Sequence, residues 1–227
     1  MNLFGLFLIL SLNLLISCGQ KESARKKFVN LELMSKKDEG LYQAKLLPLN
    51  SNLSSLSDGH VKIIWDAQKF ISDSKVTGSD PGVKHLQFIL TSSICPTDKD
   101  DLNQDAIIDI KELLTASGNI LIPLDSDVSE QLNGIDFGPI SNEEGNYIYR
   151  RSSSRFDLWN DLTLPDPDLY DNIEKISDNQ KLELGKRVVV VLGIASEKTI
   201  PTTVSNLWDL PLESTIPIGC GKLEESK

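Results

Sequence analysis

One short acidic segment carries oxygen-bearing side chains at alternate positions. It begins at Asp101, ends at Glu112, and matches the pattern D-x-[DN]-x-[DN]-G-x5-E at every position except the glycine. Loops of this spacing bind calcium through carboxylate and amide oxygens, with one main-chain carbonyl at position seven. The predicted Ca²⁺ ligands are Asp101, Asn103, Asp105, the carbonyl of Ile107, Asp109 and Glu112.

The sixth position of this loop departs from the pattern, because Ala106 stands where glycine is usual. That position turns sharply with a positive φ, which costs a residue with a Cβ about 1–2 kcal/mol. We therefore expect weakened rather than abolished calcium binding. Cys95-Pro96-Thr97 precedes the loop, so no helix is expected before it. The alternative is an acidic surface loop whose spacing is accidental.

Cys18 ends an apolar stretch that is followed at once by polar residues. Leu15-Ile16-Ser17-Cys18 resembles a lipobox, whose cysteine is acylated when the preceding signal peptide, here residues 1–17, is removed. The resemblance implies a membrane partner, bound through acyl chains on Cys18, in the bacterial cell envelope. Gly19 is compatible with sorting to the outer membrane. A plain secretory signal and an uncleaved anchor are the alternatives, although the apolar run is short for a membrane span.

The charge balance excludes some partners. The formal net charge is −10, and residues 1–17 contain no charged side chain, so all of it belongs to the mature chain. Such a chain repels nucleic acid and anionic headgroups.

With Cys18 acylated, Cys95 and Cys220 remain as a pair that is either a disulfide or two buried thiols. Neither has a second cysteine or histidine at zinc-ligand spacing.

The rest of the chain alternates short apolar strands with turn residues, which is typical of an all-β, Greek-key sandwich. Residues 18–27 read as a flexible tether, 28–225 as the sandwich domain, and about 163–185 as an exposed insertion. Gly118 should end a short helix at Ile110 to Ser117, and a second helix is expected near Phe156 to Leu162. Strands are predicted at 28–34, 60–65 after a turn at 57–59, 84–90, 119–124, 147–149, 187–192 and 214–220.

Catalytic signals are few. The chain has two histidines, His60 and His85, and neither accompanies a G-x-S-x-G or comparable nucleophile motif. A histidine in a strand is most often a packing or surface residue. No catalytic residue is predicted.

Several segments in order resemble a group of exported bacterial proteins similar to chordin-type (CHRD) domains, whose sandwich is akin to copper-zinc superoxide dismutase. They are 84–88, 94–97, 101–112, 122–124, 144–149, 187–192, 207–212 and 216–221. The resemblance implies the β-sandwich and a Cys95–Cys220 bridge. It also argues against dismutase chemistry, because Gln87 and Phe88 replace part of the expected histidine cluster and only His85 remains.

These observations favour a lipid-anchored envelope or surface protein with a binding or structural role, and not an enzyme. Adhesion to host matrix or plasma proteins is the specific version of this hypothesis. The alternative is a divergent metal-dependent enzyme that uses His85 and nearby carboxylates.

Overall fold

The computed structural model describes residues 39–129, 138–164, 171–177 and 180–226. The predicted strand at 28–34 and the lipobox-like segment lie outside them. The described chain forms β1 (Gly40–Lys45), β2 (Leu47–Pro48), β3 (Asp58–Trp65), β4 (Lys69–Thr77), β5 (Leu86–Leu90), α1 (Ile110–Ser117), β6 (Ile120–Pro123), β7 (Tyr147–Ser154), α2 (Arg155–Thr163), β8 (Val188–Leu192), β9 (Pro217–Lys222) and β10 (Glu224–Glu225).

The strands form two five-stranded sheets. The first sheet has the order β10-β1-β3-β4-β7, and the second sheet has the order β2-β9-β8-β5-β6. Every pair of neighbouring strands is antiparallel. The chain passes repeatedly from one sheet to the other, although β3 and β4 form a simple hairpin within the first sheet. The predicted all-β sandwich with a short helix is confirmed.

The main hydrophobic core lies between the two sheets. In β3, Val61, Ile63 and Trp65 are buried, and the residues between them face outward. Alternation with a period of two is what a sheet with one solvated face requires. β8 differs, since all five of its residues are buried. It occupies the centre of the second sheet, as its unbroken β-branched run predicts.

A second apolar cluster covers the outer face of the second sheet. Phe88 and Val190 of that face pack in one cluster with Ile110 and Leu113 of α1. Burying a side chain such as Leu113, which is fully enclosed, contributes about 1.5–3 kcal/mol. The helix begins at a capping box formed by Asp109 and Glu112 and ends at Gly118, whose φ is +79°. The strands β5, β8 and β9 of the second sheet are therefore buried on both faces.

The short helix α2 is tied to the first sheet by a buried arginine. The Arg155 guanidinium lies 4.7 Å from the centroid of the Trp65 ring and 2.7 Å from Oε1 of Glu39. The aromatic face and the carboxylate together compensate a cation that is removed from water.

Three local predictions need correction. Asp58 and Gly59 do not form a turn, because β3 already includes them. The strands β1 and β4 were not predicted. Two inward positions of β4 are held by Ser72 and Ser74, so its sequence lacks an alternating apolar signal. The segment 163–185 is not uniformly exposed, since four of its apolar side chains are buried: Ile173, Ile176, Leu182 and Leu184.

Cys95 and Cys220 lie at disulfide distance, with their Cα atoms 5.8 Å apart. This is the pair that the sequence left as a disulfide or two free thiols and that the family resemblance implied as a bridge. Cys220 is a buried residue of β9, and Cys95 precedes the acidic segment. The link joins residues 125 positions apart in the chain, so it fixes the approach to the acidic segment against the second sheet.

We expect peptide mapping without reductant to find a single Cys95–Cys220 linkage. A bridge over so long a loop stabilises by roughly 4–5 kcal/mol in the chain-entropy model, so reduction should lower the urea midpoint clearly. The matched control is Cys95→Ser/Cys220→Ser, whose midpoint should not respond to reductant. Two free thiols in protein isolated from the envelope would contradict the pairing.

Candidate functional site

The acidic segment folds into a series of tight turns closed by its own side chains. The carboxylate of Asp101 accepts hydrogen bonds from the amides of Asp105 (3.2 Å) and Ala106 (2.8 Å). Asn103 Oδ1 accepts from the Asp105 amide at 3.0 Å, and Asp105 Oδ1 accepts from the Ile107 amide at 2.9 Å. Such side-chain-to-backbone bonds replace the ladder that a loop lacks. The first three predicted ligands are thereby brought to one compact loop.

Ala106 adopts the conformation that the calcium-loop pattern assigns to glycine. Its φ is +65°, and that of Gln104 is +59°. A left-handed residue with a Cβ costs about 1–2 kcal/mol, so the loop stores backbone strain at both positions. The loop thus keeps the expected turn even though the residue that favours it is missing.

The last two predicted ligands are buried at the start of α1. Glu112 Oε1 accepts the Leu102 amide at 2.7 Å, and Oε2 accepts the Asp109 amide at 3.0 Å. Asp109 Oδ1 accepts the Glu112 amide at 2.9 Å, and its Oδ2 accepts the Ser205 amide at 2.8 Å. Both carboxylates therefore lie at a helix N-terminus, where negative charge is favoured, and each also accepts an amide from outside the helix.

Residues outside the segment hold it in place. Asn50 Oδ1 accepts a hydrogen bond from the Ile108 amide at 2.7 Å, and Asn50 Nδ2 donates one to the Ile108 carbonyl at 2.9 Å. One side chain therefore satisfies both main-chain groups of Ile108. The Thr203 hydroxyl donates to Asp105 Oδ2 at 2.5 Å. Ile108 is 5 % exposed, as expected for the apolar position of such a loop. Sequence reasoning missed Asn50, which is distant in the chain and carries no motif.

Within the described ranges, no group of three or more aspartate, glutamate, histidine or cysteine side chains is placed to hold a metal ion. The loop oxygens described above are engaged with backbone donors or, for Asp105 Oδ2, with the Thr203 hydroxyl. A bound cation would have to replace some of those hydrogen bonds. The calcium site therefore stays a prediction that the loop geometry makes testable.

The two histidines occupy different places. His60 lies on the outward face of β3, with Nε2 3.2 Å from the Asp58 carboxylate. His85 precedes β5 and is fully buried, stacked on Tyr147 with ring centroids 5.0 Å apart. The structure does not bring them together.

Both ring nitrogens of His85 have protein partners. Nδ1 lies 3.1 Å from the Leu192 carbonyl, and since a carbonyl only accepts, Nδ1 carries the hydrogen in the neutral ring. Nε2 lies 3.1 Å from the hydroxyl of Ser79. Burial lowers the pKa of His85 to about 4, against the opposing effects of the Leu192 carbonyl and the Asp80 carboxylate.

This Ser79–His85 pair has the atom types of a nucleophile and its base, but it is closed to solvent. The exposed fraction of Ser79 is 2 % and that of His85 is zero. A substrate could not reach either atom without opening the sandwich. No motif around Ser79 signalled this contact, which arises from the packing of a loop against the start of β5.

No protein-family model matches the chain, and a search of curated proteins finds no matching relative. The CHRD-like resemblance stays a prediction. Among the described residues, no helix is long and apolar enough to cross a membrane.

The buried His85 predicts a loss of stability in mild acid. Because its folded pKa of about 4 lies below the unfolded value of 6.5, the unfolded chain binds the proton first. The contribution of neutral His85 to the free energy of unfolding is complete above pH 6.5. It is lost as the pH falls towards 4, by up to about 3 kcal/mol. Urea unfolding between pH 7 and pH 4 measures this loss.

His85→Gln should lower the free energy of unfolding at pH 7. The free energy of unfolding of this variant should also change less than that of the wild type as the pH is lowered. His60→Gln is the matched control, because His60 is exposed, and it should keep the wild-type slope. Equal slopes in the wild type and in His85→Gln would contradict the assignment.

Proposed function

We propose that the chain is a lipid-anchored protein of the bacterial envelope, exposed to an oxidising compartment. Its CHRD-like β-sandwich serves a non-enzymatic binding or structural role. Adhesion to host matrix or plasma proteins is the specific form that we propose for a surface-exposed lipoprotein.

The pairing of the cysteines carries this proposal. Cys18 follows a lipobox-like sequence, and the other two cysteines lie at disulfide distance. Disulfides persist mainly outside the cytosol, so the folded domain and the signal-like segment point to the same compartment. An acylated cysteine accounts for membrane attachment, because two or more acyl chains hold a protein stably.

The alternative function is a metal-dependent enzyme that uses His85 and nearby carboxylates. A metal ligand needs a free nitrogen lone pair. Nδ1 of His85 faces a carbonyl, and Nε2 faces the Ser79 hydroxyl. These contacts favour a packing role for His85, and the non-enzymatic proposal rests on them. Stoichiometric copper, zinc or iron in the purified protein would overturn that preference.

Replacing Cys18 with alanine should abolish lipid labelling and prevent the protein from entering a detergent-rich phase. Growth with a radiolabelled fatty acid, followed by Triton X-114 partition, measures both. Cys95→Ser/Cys220→Ser is the matched control, since it removes two other cysteines and should keep the label. Persistent labelling of Cys18→Ala would contradict the proposal that Cys18 carries the lipid anchor.

We further propose that the loop from Asp101 to Glu112 binds one Ca²⁺. Support comes from the spacing of its oxygen side chains and from the left-handed conformation of Ala106. Asp101, Asn103 and Asp105 would supply side-chain oxygens, Ile107 its carbonyl, and Asp109 and Glu112 the remaining carboxylates. The ion would order the segment that covers the second sheet.

Millimolar calcium should raise the melting temperature relative to a chelator, because a ligand of the folded state alone stabilises by RT ln(1 + [L]/Kd). Ala106→Gly should enlarge this calcium-dependent shift by removing the Cβ from a left-handed residue. Glu112→Gln should reduce it by removing a charged bidentate ligand. Differential scanning calorimetry in calcium and in chelator measures all three.

The matched control is Asp98→Asn, which removes an exposed carboxylate just outside the loop and should leave the shift unchanged. Identical melting curves in calcium and chelator, with no effect of Ala106→Gly on the difference, would show that the loop only retains the form of a calcium site.

A further inference from the structure

Four polar side chains on the inner faces of the two sheets have buried atoms with no hydrogen-bond partner among the described residues. These atoms are the hydroxyl oxygens of Ser72 and Ser74 in β4, both amide atoms of Gln87 in β5, and the phenol oxygen of Tyr147 in β7. None of the four residues is more than 5 % exposed. We call these four residues the inter-sheet polar cluster.

The two serines lie on the inner side of β4. Since side chains alternate along a strand, they share that side with Phe70 and Val76, which belong to the main hydrophobic core. A serine side chain is short and reaches only a small way across the space between two sheets. Two consecutive inward positions of β4 therefore present hydroxyl groups where the rest of the strand presents apolar side chains.

The glutamine of the cluster comes from the opposite sheet. Gln87 shares its side of β5 with Ile89 of the main core, whereas Phe88 between them belongs to the outer apolar cluster. The Gln87 carbonyl accepts the amide of Leu124, which follows β6, at 2.9 Å. The main chain of Gln87 is therefore paired, and only its buried carboxamide has no partner.

Contacts between the sheets bring these strands face to face. The ring of Tyr147 stacks on His85, the residue before β5, with centroids 5.0 Å apart. The hydroxyl of Tyr149, on the same side of β7, donates to the carbonyl of Asp125 at 2.8 Å, next to the amide that bonds to β5. Tyr149 is also the register partner of Ser74. Ser74 therefore lies opposite the part of β5 that carries the glutamine.

Polar atoms buried in this way need a ligand that can pair them. In the unfolded chain they bond to water, and folding removes those bonds without replacing them by bonds to the protein. Ordered internal water molecules commonly satisfy such groups in folded proteins. Burial raises the pKa of Tyr147 well above its ordinary value, so the phenol keeps its proton and can donate.

We propose that the inter-sheet polar cluster is a binding site for ordered water, which bridges the serines of the first sheet to Gln87 of the second. None of the four side chains is charged, so the site suits a neutral ligand and not an ion. Water both donates and accepts hydrogen bonds, as hydroxyl groups and a carboxamide also do. The bridge ties β4 to β5. It favours one alignment of the two sheets, because a fully paired polar network specifies a single core arrangement.

The first experiment counts long-lived internal water molecules in the full-length protein by oxygen-17 magnetic relaxation dispersion. Gln87→Leu keeps the side-chain volume but removes both amide atoms, so this variant should hold fewer long-lived water molecules than the wild type. Thr215→Val is the matched control, because Thr215 is buried but its hydroxyl donates to the Leu212 carbonyl at 2.9 Å. The control should lower the urea midpoint and keep the wild-type water count. If Gln87→Leu does not fold, Ser72→Ala/Ser74→Ala takes its place in the count.

Urea unfolding gives a second measurement, whose sign separates a hydrated cluster from a dry one. If water pairs the hydroxyl, Ser74→Ala removes a hydrogen bond and should lower the urea midpoint. If the hydroxyl is unpaired, the same change removes a desolvated polar group and should raise the midpoint. A shared water also predicts that Ser74→Ala lowers the midpoint less in Gln87→Leu than in the wild type.

Two results would overturn the proposal. One is a water count that stays at the wild-type value when the cluster is altered. The other is a urea midpoint that does not fall in Ser74→Ala, which would mean that the cluster is dry.

Discussion

The structure depends on three strands of the second sheet that are buried on both faces. All the residues of β5 and β8 are buried, and β9 exposes only its last residue. Such strands cannot face water on either side, so each face must be covered. The first sheet covers one face, and α1 with the chain around Leu207 covers the other. The irregular segments that contain Ile108 and Leu207 contribute to this second cover.

Irregular covering segments must satisfy their own backbone groups, because few strands or helices do so for them. In the acidic segment, carboxylates accept the hydrogen bonds of these backbone groups. Asp101, Asp109 and Glu112 accept main-chain amides, and Asn50 pairs both main-chain groups of Ile108. The Cys95–Cys220 link anchors the same segment to β9. The residues that suggest a calcium site therefore also stabilise the loop directly, and cation binding and loop order would be coupled through them.

Elements with a strong local pattern could be predicted, and elements defined by packing could not. The run Val188–Leu192 and the helix Ile110–Ser117, ended by Gly118, stand where the sequence predicts them. β4 was missed because Ser72 and Ser74 face the core. At the candidate site, the loop turns followed from residue spacing. Asn50 and the Ser79–His85 contact did not, because the first joins residues 58 positions apart and the second arises from the packing of a loop against the start of β5.

The two sheets consequently differ in what they can offer a partner. The outer face of the second sheet is occupied by the protein's own chain, and any ligand there would compete with buried apolar contacts. The outer face of the first sheet presents exposed side chains of β1, β3, β4 and β7 in register. A regular sheet holds charges at fixed spacing without ordering a loop, so binding there avoids an entropic cost that a mobile site would incur. The first sheet therefore leaves one regular face in solvent, where a partner would meet side chains of four strands without displacing the protein's own chain.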